Sequence, residues 1–191
     1  MREFGLASLA MFFYDLREGE TKDIRGPLSS ILFQLCDQSD SYCDILSSFF
    51  STHRDGARSP SIGELVRCLK DVLSLPGQAP VYLIVDALDE CPNTSALLSP
   101  RMEVLMLLED LVDLQMANLR ICVTSRPEAD IRSILEPLTS RSVSLHNERG
   151  PLEDIENYIK SVINTNKSMR KWTPEHRQLV INVLTRKAGG M

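Results

Sequence analysis

The chain has 191 residues, 43% of them hydrophobic and 25% charged, the composition of an ordinary globular domain long enough for a sizeable core. A formal net charge of -5, with no block of Lys or Arg, argues against a nucleic-acid-binding surface, and no apolar run reaches membrane-spanning length. Five cysteines (Cys36, Cys43, Cys68, Cys91 and Cys122) include no C-x-x-C pair, which excludes a zinc or disulfide framework and points to reduced thiols in a cytoplasmic protein, with Cys68 and Cys122 on apolar faces.

Leu6 to Tyr14 is predicted to form a first buried strand, with Asp15 and Arg17 at its carboxyl end. Pro27 opens a helix whose apolar positions Leu28, Ile31, Leu32 and Leu35 recur at helical spacing, and a second short helix carries Tyr42, Ile45, Leu46, Phe49 and Phe50 on one face as core residues. His53 to Pro60 is a polar loop. Ser61 and Glu64 form a capping-box pair ahead of a helix that holds its period from Ile62 to Leu73 and stops at Pro76-Gly77. Val81 to Asp86, between Pro80 and Pro92, is a short strand apolar on both faces, which suits a parallel sheet covered by helices on both sides. Ser99-Pro100 starts a helix with Val104, Leu105, Leu108, Leu111 and Val112 inward, ending near Met116. Leu119 to Thr124 is another strand, and Val143 and Leu145 alternate in a last one. Two helices finish the chain, one from Pro151 and one capped by Thr173-Pro174. Strands interleaved with helices predict an α/β fold, a three-layer sandwich built on a mostly parallel sheet, with a core over residues 1–150 and C-terminal helices of the same module over 151–191.

The chemistry-bearing residues fall at two strand ends, where parallel sheets gather their ligands. Asp86 closes the first, and Asp89 and Glu90 follow within four positions. An Asp at the tip of a hydrophobic strand can hold the water shell of a magnesium ion on a triphosphate, and a second acid can orient or deprotonate the attacking water. A solvated acidic turn is the plain alternative. The second end, Thr124-Ser125-Arg126, offers a cation that can neutralise a terminal phosphoryl group, or else a surface Arg fixed only by Pro127. His53, His146 and His176 are too scattered to form a ligand set.

The runs VYLIVDALDECP and, a helix later, LRICVTSRPEADI resemble the NACHT module of the STAND class of P-loop NTPases, and more narrowly the nephrocystin-like N-terminal domain of fungal proteins that often continue into ankyrin repeats. The resemblance implies a nucleotide-dependent signalling switch using magnesium and ATP or GTP. It makes Asp86 the metal-holding acid of a Walker B strand, Glu90 with Asp89 the water-activating end, and Arg126 of sensor 1 the contact to the γ-phosphate. It also implies an upstream phosphate-loop or effector segment, a downstream repeat domain, self-association into a homo-oligomer, and no nucleic-acid partner.

The chain departs from that family in one respect. The Walker A loop G-x-x-x-x-G-K-[ST], whose amides and Lys cradle the phosphates, is found nowhere in the 191 residues, and Gly189-Gly190 is the one glycine pair. Both ends read as cuts through a larger protein, and this chain alone is expected not to hold nucleotide. Two other classes stay open: a non-catalytic interaction module derived from such an NTPase, and a magnesium phosphatase of the haloacid-dehalogenase type. The latter needs Asp-x-Asp where Asp86-Ala87-Leu88-Asp89 has one residue too many.

Overall fold

Three strands, β1 (Ser8–Phe13), β2 (Val81–Asp86) and β3 (Leu119–Val123), pair in parallel in the order β1-β2-β3. This computed structural model describes residues 6–15, 23–53, 58–94, 98–144 and 149–188, and the chain divides into two units, 1–139 and 140–191. In the first unit α1 (Arg25–Cys36), α2 (Asp40–Thr52) and α3 (Ile62–Leu73) connect β1 to β2. The crossover from β2 to β3 is α4 (Pro100–Asp113), and α5 (Ala129–Leu138) follows β3. The second unit holds α6 (Arg149–Thr165), a 3-10 turn over Lys167–Lys171 and α7 (Pro174–Ala188), packed through Ile163 and Ile181. The chain is thus α/β with a parallel sheet, as its alternating pattern predicts.

The expectation of helices on both faces of the sheet differs from what the described residues show. Ala10, Val81, Leu83, Val85 and Leu119 join one core with Leu28, Ile31 and Leu35 of α1, Leu65, Leu69 and Val72 of α3, and Val104, Leu105 and Leu108 of α4. The alternate residues Leu9, Met11, Phe13 and Tyr82 point the other way and are 37–57% exposed. Handedness explains this. Successive parallel strands that step in one direction, each joined by a right-handed crossover, place all their connections on the same face. β2 is apolar on both sides, but among the described residues of this unit the helices cover one side. Cys122, expected buried, lies on the open side and is exposed.

The two edges of the sheet are treated differently. Along β1, the side-chain amides of α1 and its exit replace a neighbouring strand. Leu9 N–H donates to Gln38 Oε1 (2.9 Å) and its carbonyl accepts from Gln38 Nε2 (2.7 Å), while Gln34 does the same for Met11 (3.0 and 2.8 Å). These pairs close a row of backbone groups that would otherwise invite a further strand. β3 forms the opposite edge, and among the described residues no strand pairs with its outer side.

Helix boundaries follow their capping chemistry. Ser61 caps α3 in a full capping box, and Ser99 caps α4 by accepting from Met102 N–H at 3.2 Å, with Pro100 in the first turn. Gly77, at φ +72, supplies the left-handed turn after α3 that an L side chain would resist. Thr173 Oγ1 accepts from His176 N–H at 3.3 Å at the start of α7. Some details depart from the sequence pattern. Val112 is exposed rather than inward, and Phe50 is half out of the core. Val143 lies in irregular backbone, 61% exposed, and its expected strand partner Leu145 falls outside the described residues, as does Arg17. Helix α5 was not anticipated: Pro127 and Pro137 at its two ends mask a stripe of Ile131, Ile134 and Leu135.

The capping box gives a pH test. Glu64 Oε2 accepts from the backbone N–H and the hydroxyl of Ser61, both at 2.7 Å, and these bonds, the backbone one foremost, hold its carboxyl down from 4.5 to about 2. The folded state therefore favours the carboxylate, and this stabilisation is complete above about 4.5 and lost as pH falls toward 2. Thermal melts of wild type and Glu64→Gln between pH 7 and pH 2 should show a wild-type advantage at neutral pH that vanishes across that window.

Candidate functional site

Parallel pairing sets the ends of β2 and β3 level, because Val85 is opposite Val123 and each strand then leaves the sheet in the same direction. Beyond β2 the backbone turns sharply. Ala87 takes a left-handed conformation (φ 52, ψ 46), a strained one for a residue with a Cβ, and a 3-10 turn over Leu88–Glu90 follows, anchored by the fully buried Leu88. This turn swings Asp89 and Glu90 back over the sheet end instead of letting them run on into solvent.

Thr124 joins the two exits. Its N–H donates to Val85 O (3.0 Å), its carbonyl accepts from Leu88 N–H (3.0 Å), its hydroxyl accepts from Ala87 N–H (3.0 Å), and the hydroxyl donates to Asp86 Oδ1. Asp86 is exposed at the strand tip, with Oδ2 unpartnered among the described residues. Two residues past Thr124, the Arg126 N–H donates to Asp89 Oδ1 at 2.9 Å and its Nε lies 3.5 Å from Asp89 Oδ2. The Asp89 side chain is 10% exposed and that of Arg126 72%, so the acid is held in the turn while the guanidinium reaches solvent.

The structure therefore brings Asp86, Asp89, Glu90, Thr124 and Arg126 to one end of the sheet. Asp89 is committed to Arg126 in this arrangement, and Glu90 is half-buried in the same turn. Among the described residues no three His, Cys, Asp or Glu side chains form a metal-ligand set. A magnesium ion carried on phosphates needs only one or two protein carboxylates, and the Oδ2 of Asp86 fits that lesser demand. Cys91, directly after the turn, is buried, and burial pushes its thiol up to about 11 against the opposing influence of Tyr14 and Arg101, so it is no thiolate nucleophile.

Three participants carry little signal in the sequence. Thr124 sits inside the Thr-Ser-Arg motif, yet its part is to bridge the strands. Arg101 and Asp130 belong to no motif, although Arg101 occupies the same stripe of α4 as Val104, Leu105, Leu108 and Leu111, where a charge is conspicuous.

A parallel α/β unit whose polar groups collect at adjacent strand exits is the class that fold and site define. Residues 3–126 match the family model described as nephrocystin 3, N-terminal, and the chain belongs to that family. The matched span runs through all three strands and ends at Arg126, so both exits lie within it. No curated protein and no solved structure gives a match to the chain.

The Thr124 bridge is open to a simple test. Thr124→Val removes the hydroxyl partner of the Ala87 N–H and of Asp86, which should cost about 0.5–1.5 kcal/mol in chemical denaturation, whereas Thr124→Ser, keeping the hydroxyl, should stay close to wild type.

Proposed function

We propose that these strand exits form the magnesium and water-activating half of a nucleotide site in a STAND/NACHT-type switch NTPase, with ATP favoured over GTP as the nucleotide. The observation that carries the reading is the bridge from Thr124 to Asp86, with Arg126 delivered to the same end of the sheet. Bound there on a triphosphate, magnesium would supply charge neutralisation at the phosphoryl oxygens.

In this reading Asp86 would hold the ion's water shell, and Thr124 fixes the carboxylate's rotation. Glu90 accepts the proton of the attacking water. Asp89 holds Arg126 ready, and the exposed guanidinium exchanges part of that pairing for the terminal phosphoryl group. The 191 residues contain no G-x-x-x-x-G-K-[ST], so the amide cradle and the phosphate-binding Lys have no counterpart among them. The reading therefore gives this chain one half of a site. A second reading, a non-catalytic interaction module, is favoured by the open apolar face carrying Leu9, Met11, Phe13 and Tyr82.

Isothermal titration of the chain with Mg2+-ATP should show no tight binding, since three acids and one Arg face a triphosphate without an amide cradle. Micromolar affinity would contradict this division of the site. In a version extended upstream by a phosphate loop, Glu90→Gln should leave binding intact and lower single-turnover hydrolysis by ~10²–10⁴-fold. Asp86→Ala should weaken Mg2+-nucleotide binding itself, and Arg126→Ala should chiefly reduce discrimination between tri- and diphosphate. Equal loss of binding in all three would leave only a structural strand edge.

A further inference from the structure

One residue on the apolar stripe of α4 is a cation. Arg101 lies one turn before Val104 and Leu105 and is 8% exposed, although removing a guanidinium from water is costly unless its donors are met. They are met by three separate groups. Nε donates to Cys91 O (3.1 Å), Nη2 to Asp89 O (2.5 Å), and Nη1 to Asp130 Oδ2 (3.2 Å), which also accepts from Asn93 Nδ2 (3.0 Å). The backbone N–H of Arg101 adds a bond to Pro92 O at 3.1 Å.

The placement of these acceptors is informative. The carbonyls of Asp89 and Cys91 flank Glu90, so the fork of Arg101 grips the chain on both sides of that acid. Asp130 lies in the first turn of α5, the helix that follows the β3 exit. Asp89 is consequently held twice, its carbonyl by Arg101 and its carboxylate by Arg126. The Arg126–Asp89 ion pair joins the β3 exit to the β2 exit, and the Arg101–Asp130 pair ties α4, whose Arg101 grips the β2 exit, to the start of α5.

We propose that Arg101 is a positioning residue for the strand-exit site: it fixes the direction of Glu90 and Asp89 and locks their turn to the start of α5. The meaning of those acids rests on the nucleotide reading above, but the strut itself does not. A cation serving only stability would be a poor choice here, because an apolar side chain of similar size usually does as well in a helix core. The fork geometry, two carbonyls and a carboxylate met at once, is what an apolar residue or a Lys cannot reproduce.

The test is amide hydrogen exchange of the 191-residue chain without nucleotide, comparing wild type with Arg101→Lys, Arg101→Met and Asp130→Asn. Both Arg101 variants should speed exchange at Cys91 and Arg126 by about tenfold or more, while amides of the buried Leu69 and Leu83 keep their wild-type rates. Asp130→Asn should give a smaller increase at the same positions, because the carbonyl bonds survive. Unchanged exchange at Arg126, a proportional rise at Leu69 and Leu83, or full rescue by Lys would each overturn the proposal. Should Arg101→Met not fold, Arg101→Lys and Asp130→Asn still decide the matter. Since no nucleotide is present, a failed nucleotide reading would leave these rates unaltered, and the two failures can be told apart.

Discussion

The in-register parallel pairing of β2 with β3 is the constraint on which the rest depends. Antiparallel strands would send their ends to opposite sides of the sheet. Parallel ones bring Asp86 and Thr124 side by side, and the Thr124 hydroxyl then spans the gap in a single hydrogen bond. Everything polar at that end follows from it. The left-handed Ala87 folds the acids back over the exit, Asp89 meets Arg126, and Arg101 reaches up from the buried side of α4 to hold the turn from beneath. The acids are spaced and directed by the backbone, not by mutual attraction, which like charges could not supply.

The handedness of the crossovers is the second consequence of parallel pairing. Because the chain steps from β1 to β2 to β3 without reversing, α1, α3 and α4 share one face, and a core of leucines and valines forms only there. Each fully buried Leu, such as Leu28, Leu69 or Leu105, contributes about 1.5–3 kcal/mol relative to its exposed state. On the β1 edge two glutamine amides substitute for a strand, at the modest net value of ordinary hydrogen bonds, about 0.5–1.5 kcal/mol each. The sheet is finished on that side, and among the described residues no strand pairs with the outer side of β3.

Much of this was legible in the residues. The capping box at Ser61 and Glu64, the Ser99-Pro100 start, the strands around Val85 and Ile121, and the arrival of Asp86 and Arg126 at one end of the sheet all follow from spacing and residue type, because they are local or set by simple alternation. What escaped was non-local. A strand apolar on both faces says nothing about how many faces are covered, since that depends on the direction of the next crossover. The glutamines that cap β1 lie 23 and 29 positions from their partners, and nothing in an isolated Gln announces a bond to a strand edge. Arg101 could have been found as a charge at a core position, but two of its three acceptors are main-chain carbonyls that sequence does not display. Helix α5 was hidden by the prolines at its ends, although its apolar stripe has helical period.

We propose that the two strand exits act as one site for a magnesium-bound phosphate. Hydrogen exchange of the chain extended upstream by a phosphate loop, at saturating nucleotide and compared between Mg2+-ATP and ATP with chelator, tests it most directly, because occupancy slows exchange at the amides it covers. The account predicts magnesium-dependent protection of residues 86–91 and 124–128 together, with no change at the opposite end of the sheet around Ser39 and Gln78. Protection at only one exit, at the opposite end, or at neither would contradict it.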